Sequence, residues 1–383
     1  MNLTSGTTPK NRRPLSIRGR ILGVIARKIS STTTRAWLMR FPVTRWLVNR
    51  ETRRLFDLCG GFVYSQVLFA FVEADLVRIF SMGPTHVDDL SCAAKLPPER
   101  LKRLLQAASS LGLTHSLGEG IYCLGIKGAA LVDNPGLIAM IKHHVHLYQD
   151  LADPLNLLRD PNVKTRLSVF WSYLAADPDR AMTIDSTTAY SELMAESQEM
   201  ISEVICNSFK FNGYQKVLDM GGGKGVFANH IVQSSPRSLV TVFDLPEVIR
   251  ASERDGSLLD NSCRIDAVAG NFFQDPIPAD YDLITLVRVL FDHSDENVLK
   301  LLTRIYEALN PWGTLMIAEP FSNEQGADPI ADAYFNMYLL AMGDGQVRTF
   351  GRHSELLRAA GFRSIDVVRS VNPSLTKIIL AQP

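Results

Sequence analysis

The chain has 383 residues, 46% hydrophobic and 21% charged, a balance that suits a globular protein with room for two cored domains. Forty Lys and Arg offset forty Asp and Glu, and neither a repeat period nor a low-complexity tract breaks the composition. Five scattered cysteines (Cys59, Cys92, Cys123, Cys206, Cys263) with no C-x-x-C pair exclude a disulfide scaffold or zinc ribbon and fit a reduced cytoplasmic compartment.

Residues 1–50 hold eleven Lys or Arg and no acid. Arg35, Arg40, Arg45 and Arg50 alternate with Trp37, Leu38, Phe41, Trp46 and Leu47, which suits an anionic membrane surface. A spacing of five does not align the arginines on one helical face, and Pro42 interrupts any helix here. A disordered basic arm, a transit peptide and a nucleic-acid arm share this composition. Leu58 to Ile79 is almost continuously apolar, as a buried helix is. Its longest run, Phe62 to Val72, stops short of the ~20 residues of a membrane span and ends at Glu73 and Asp75.

A short helix is expected from Pro84 to Ala94, and a second from Pro97 to Leu111, with proline in its first turn and Gly112 at its end. Leu113 to Leu124 reads as two short strands around Gly118-Glu119-Gly120. Helix, helix, hairpin is a winged-helix order. The second helix offers only Arg100, Lys102 and Arg103 against Glu99, so a dimerisation use is expected over DNA reading, and nucleic acid is not expected as a partner. Helices follow over Leu137–Leu158, Thr165–Ala175 and Ala189–Ser208. Of His143, His144 and His146, only His143 and His146 share a helical face, so pocket lining or packing is expected and not a metal site.

From Gly213 strands and helices alternate. Strands are expected at Lys216–Met220, Ser238–Leu245, Arg264–Ala269, Tyr281–Leu290 and Thr314–Glu319, with a helix over Asn297–Leu309. Arg352–Ala360, Ile365–Ser370 and Leu375–Ala381 close the sheet. This is a doubly wound α/β domain, which binds ligands at the carboxyl ends of its strands. The stretch Asp219-Met-Gly221-Gly-Gly223-Lys-Gly225 joins the first strand to a helix, where glycines allow a tight turn and free N–H groups face a ligand. The second strand ends in Asp244, an acid placed for a ribose diol. A dehydrogenase fingerprint, Gly-x-Gly-x-x-Gly, accommodates a pyrophosphate. An acid before the glycines would repel one, and suits a ligand carrying an ammonium group, such as S-adenosylmethionine. Asn271 and Phe272 would then face the adenine.

On these motifs the C-terminal half resembles the class I methyltransferase domain, a Rossmann-like fold whose last strand is antiparallel. From about residue 55 the chain is similar to the dimeric small-molecule O-methyltransferases that place a winged-helix dimerisation domain before it. Phe243–Pro246, Gly270–Phe273 and the Arg-Val-Leu-x-Asp-x-x-Asp run of Arg288–Asp295 carry the resemblance. Leu55–Gln66, Leu151–Leu155, Tyr190–Gln198 and Asn336–Gly343 bring it closest to bacterial enzymes that methylate a carotenoid hydroxyl. The resemblance implies three regions: a basic extension over 1–54, a helical dimerisation and substrate-lining domain over 55–208, and a cofactor domain over 209–383. It also implies a homodimer, a photosynthetic bacterial source, and contact between residues 1–54 and the inner membrane. Asp219, Gly221, Gly223, Asp244, Asn271, Phe272 and Arg288 are the expected cofactor residues. His144, Tyr148, Trp171, Met194, Phe335, Tyr338 and Met342 are the expected substrate wall, and in the plainer reading they are ordinary core. The implied reaction methylates the C1 tertiary hydroxyl of an acyclic carotenoid. Another hydrophobic or planar product (a tetrapyrrole or polyketide), a non-methylating relative, and a winged-helix regulator with a vestigial cofactor domain are the other readings.

One departure stands out. Many members of that family carry a His-Asp pair after the fourth strand, with the histidine as base. Here Phe291 holds that position, followed by Asp292 and His293. Glu319 is retained as a supporting acid, and Val347 stands where a second acid is expected. His293 is the candidate base, or simply the residue before the N-cap Ser294. Asp292 holds loop N–H groups or takes part in catalysis. No acid cluster of metal-ligand type stands at the sheet edge, so no metal is expected.

Overall fold

The computed structural model describes residues 17–171, 197–256, 263–324, 328–343 and 345–383. The chain divides into two compact units, Met1–Leu68 and Phe69–Pro383. The first contains helices Ile17–Ser30 and Thr32–Leu38 and most of the helix Pro42–Glu73. Pro42 begins that helix and does not interrupt one; its missing N–H is a donor that a first turn leaves unbonded anyway. The helix is 32 residues, long and apolar enough by length and composition alone to cross a membrane, although its longest apolar run is shorter than a span. Nor is it buried as expected: of Phe62 to Val72 only Phe71 and Val72 are core, while Phe62 is 72% exposed. Leu55, Phe56, Leu58 and Tyr64 fall all around the helix, so no single packed stripe can cover them. The helix ends where Asp75 adopts a left-handed φ of 56°, before a separate helix Leu76–Ser81.

In the second unit, three strands form a small antiparallel sheet in the order β1-β3-β2: β1 (Thr85–His86), β2 (Thr114–Gly118) and β3 (Ile121–Leu124). Helices Val87–Ala94 and Pro98–Ser110 precede the β2–β3 hairpin, the expected order. The stretch expected as one helix, Leu137–Leu158, is two: Pro135–Asp150 and Pro154–Arg159. Asp153 starts the second by accepting the N–H of Asn156 at 3.1 Å, and Pro154 takes its first position. Among the described residues, Arg166–Phe170 and 197–208 are also helical; the remainder of the expected helices, 172–175 and 189–196, lies outside the described residues.

The large sheet has seven strands in the order β6-β5-β4-β7-β8-β10-β9. They are β4 (Lys216–Met220), β5 (Leu239–Asp244), β6 (Ile265–Ala269), β7 (Leu283–Val287), β8 (Thr314–Glu319), β9 (Ser364–Val368) and β10 (Lys377–Gln382). The first five run parallel, and β10 inserts antiparallel between β8 and β9. Every residue of β7 and β8 is buried, as strands covered on both faces require. Arg352–Ala360 does not join the sheet. It belongs to the helix Phe350–Ala360, whose buried residues His353, Leu356, Leu357 and Ala360 follow a helical period. The apolar run expected as a strand to Leu290 stops at Val287. Arg288 then takes a left-handed φ of 57°, and Leu290–Asp292 forms one 3-10 turn. The strand order reverses between β4 and β7, so the crevice for a ligand opens beyond their carboxyl ends.

Candidate active site

β4 ends in Asp219 and Met220, and the chain turns through Gly221, Gly222, Gly223, Lys224 and Gly225 into the helix Val226–Ser234. Gly221 and Gly223 sit at φ of +71° and +58°, where a side chain is strained. Gly222 is fixed by space: a Cβ there would lie 2.5 Å from Asp219 Oδ2. Asp244, at the end of β5, accepts the N–H of Gly223 and that of Leu245, each at 2.7 Å. The turn therefore ties the two strand-end acids together. Asp219 Oδ1 accepts the hydroxyl of Thr285 at 2.8 Å, and its buried Oδ2 has no hydrogen-bond partner. Burial pushes the Asp219 carboxyl up to about 7; the Thr285 bond pulls it back, and the nearby Asp244 charge adds to the rise. Burial likewise pushes Asp244 up to about 6, against the two backbone N–H bonds.

A cavity of about 940 Å³ opens over this turn. All seven expected cofactor residues line it: Asp219, Gly221, Gly223, Asp244, Asn271, Phe272 and Arg288. Asp292 and His293 line it too. The His293 ring meets Phe273 and Phe272 edge-on, with centroids 5.1 and 6.0 Å apart. Its backbone immediately precedes the N-cap Ser294, which accepts the Asn297 N–H at 3.4 Å. A buried acid with one free oxygen, a glycine turn too tight for side chains and an acid at the next strand end fit a nucleoside that also carries a cationic amino group.

Glu319 lies elsewhere. It is fully buried at the end of β8, and its Oε2 accepts the backbone N–H of Phe291 at 3.1 Å. Its Oε1 is 3.3 Å from Nε2 of His353, which is equally buried. Phe291 turns away from the cavity into an apolar cluster with Leu147, Leu157, Leu167, Trp171, Leu339 and Met342. Phe335 and Tyr338 pack on that cluster. The 3-10 turn thus stands between the cavity and a packed cluster, with Asp292 lining the one and Phe291 buried in the other.

The expected substrate wall gathers on the cluster side. The Trp171 indole donates to the Tyr338 oxygen at 3.0 Å, and the Tyr338 hydroxyl pairs with His143 Nε2 at 2.7 Å. His144 Nε2 pairs with the Tyr334 hydroxyl at 2.7 Å, and Tyr148 packs beside His144 with ring centroids 6.1 Å apart. Burial pushes His143 down to about 3, with the neighbouring His146 and His144 adding to the fall. Burial also lowers His144 and raises Tyr334 to about 12. These groups are neutral. Met194 lies outside the described residues. Sequence reading missed Thr285, Tyr334, Arg348 and His353. Tyr334 precedes Phe335 by one residue and lies four before Tyr338, a spacing that could have found it. Among the described residues, no group of three or more His, Cys, Asp or Glu could hold a metal ion.

A family model described as an O-methyltransferase domain matches residues 148–363. The chain is 37% identical over 347 residues to the demethylspheroidene O-methyltransferase of Cereibacter sphaeroides, covering 89% of this chain and 90% of that protein. Against the enzyme of the same name from Rhodobacter capsulatus, identity is 36% over 346 residues, covering 90% and 85%. The fold also superposes on human N-acetylserotonin methyltransferase, solved with S-adenosylmethionine. The TM-score is 0.74 at 24% identity, covering 87% of this chain and 97% of that one.

Proposed function

The chain belongs to the O-methyltransferase family, and on that premise we propose that it methylates the C1 tertiary hydroxyl of an acyclic carotenoid, with S-adenosylmethionine as donor. The observation that carries this reading is the likeness to demethylspheroidene O-methyltransferases across about nine-tenths of both chains. In this reading the apolar and aromatic side chains clustered behind Phe291 would border the path of the long hydrocarbon.

The bound donor supplies an electrophilic methyl carbon on a sulfonium. Asp219 would take its amino group through the free Oδ2, and Asp244 its ribose hydroxyls. Asn271 and Phe272 would face the adenine, and Arg288 also lines the cavity. The edge-on contacts of His293 with Phe272 and Phe273 favour a place for its ring beside the adenine over a place beside the acceptor hydroxyl. Asp292 is then the cavity-lining acid nearest in sequence to the missing base. With phenylalanine at position 291, rate comes chiefly from holding the hydroxyl in line with the methyl carbon.

Two finer points belong to the same reading. The chain works as a homodimer, and residues 1–54 rest on an anionic membrane surface. Exposed Ile21, Val24, Ile25, Phe41 and Trp46, among eleven basic residues and no acid before Glu51, support the second point. Co-flotation with anionic but not neutral vesicles tests it.

The experiment on function incubates the purified protein with radiolabelled S-adenosylmethionine and a 1-hydroxy acyclic carotenoid, or with pigment extract. A labelled carotenoid ether is expected. A labelled tetrapyrrole with no labelled carotenoid would overturn the assignment.

A further inference from the structure

The acid that closes the Arg288–Asp295 motif has no part in the chemistry above. Asp295 opens the helix Asp295–Ala308, and its carboxylate accepts from Arg348 Nε, Gln346 Nε2 and Arg352 Nη2, each at 2.7 Å. Burial works to raise its pKa, but the bonds from Arg348 and Arg352 outweigh it and hold the carboxyl below its ordinary value. Arg352 is half exposed; Arg348 is 2% exposed. The remaining nitrogens of Arg348 reach backbone: Nη1 donates to the Leu290 carbonyl at 2.8 Å and Nη2 to the His293 carbonyl at 2.5 Å. Those carbonyls are the two ends of the turn that carries Phe291 and Asp292. Between them, the Phe291 N–H goes to Glu319 at 3.1 Å, and the Phe291 carbonyl accepts the Gln346 N–H at 2.8 Å.

We propose that Arg348 is a positioning residue for methyl transfer: its buried guanidinium, neutralised by Asp295, fixes the Leu290–His293 turn between the cofactor cavity and the packed aromatic cluster. A single 3-10 turn has poor hydrogen bonds of its own, so outside donors set its shape. A planar guanidinium can serve one carboxylate and two carbonyls at once, and an ammonium cannot match that fork. The sequence of this site gives the turn unusual weight. With Phe291 in place of a base, alignment replaces proton abstraction as the main source of rate, and an error of about 1 Å costs on the order of 100-fold.

This inference rests on the proposed methyl transfer for its kinetic arm only. R348K, D295N and R352M are compared with the parent by steady-state kinetics below their melting temperatures. Amide hydrogen exchange over residues 290–293 is measured in parallel. R348K is expected to lower kcat by about tenfold or more, with KM for S-adenosylmethionine changed by less than about threefold. Its amides at 290–293 exchange faster, while those of β4 and β5 keep parent protection. R352M, which leaves both turn carbonyls paired, keeps parent kcat. If R348K does not fold, the isosteric D295N carries the test, with the same direction in both readouts. Parent-level exchange at 290–293 in the folded variant overturns the proposal, as does parent kcat. A parent that methylates no carotenoid would sink the substrate assignment alone, since the exchange measurement still decides the role of Arg348.

Discussion

Glu319 holds the amide of Phe291: its Oε2 lies 3.1 Å from that nitrogen, in a carboxyl group with no solvent exposure. The family pattern leads one to expect this acid beside a histidine base. Here it grips the backbone at the base position, and its second oxygen faces His353. Glu319→Gln keeps an acceptor for the Phe291 N–H and is expected to fold with turnover within about threefold of the parent. Glu319→Ala leaves a buried N–H without a partner, a loss of about 1–3 kcal/mol. Urea denaturation checks this; equal midpoints for Glu319→Ala and the parent would show that the bond contributes nothing.

His293 gives the second prediction. Its ring lies against Phe272 and Phe273 on the cavity wall. Loss of the ring should therefore weaken donor binding and leave the methyl transfer step in place. His293→Ala is expected to raise KM for S-adenosylmethionine several-fold with kcat within about threefold, since a lost general base would cost about 100-fold or more. A collapse of kcat at saturating donor would return His293 to the role of base.

Much of this site was readable because strand ends and glycines leave local marks. Asp219 and Asp244 each close an apolar run, and the glycine turn between strand and helix needs residues without Cβ. The turn that matters most was not readable. Tyr281–Leu290 looks like one long strand, because Val289 and Leu290 are buried too, but in the turn and not in the sheet. Arg348 sits beside Val347 in a stretch with no period, and its partners lie 53 to 58 residues away. The helix Pro42–Glu73 failed for the opposite reason. Its apolar residues predict burial, yet they surround the helix, and a residue count cannot say what covers them.

Donor binding should titrate. Asp219 is pushed up to about 7 in the free protein, so at pH 6 most molecules carry it protonated. A cationic amino group at Oδ2 favours the ionised form and lowers that pKa, so binding releases a proton. Affinity for S-adenosylmethionine is expected to be flat above pH ~7.5 and to weaken below ~7, by up to about tenfold per unit. Calorimetry in buffers of different ionisation enthalpy measures the released proton directly. Asp219→Asn should bind weakly with no such slope, and the same slope in that variant would remove Asp219 from the amino-group site.

Acid stability follows from His143. Its folded pKa is pushed down to about 3 by burial, while the unfolded chain takes a proton near the ordinary value of 6.5. Between those values the unfolded state binds more protons, so this contribution is complete above ~6.5 and is lost as pH falls towards 3. The slope is up to about 1.4 kcal/mol per pH unit. His144 and His146 are lowered as well, which steepens the loss. His143→Asn keeps a hydrogen-bonding group towards the Tyr338 hydroxyl and removes the titration. Urea midpoints at pH 7.5, 6.0 and 5.0 should fall steeply for the parent and less for the variant. Parallel slopes would mean that the buried imidazole is not the group that makes this fold sensitive to acid.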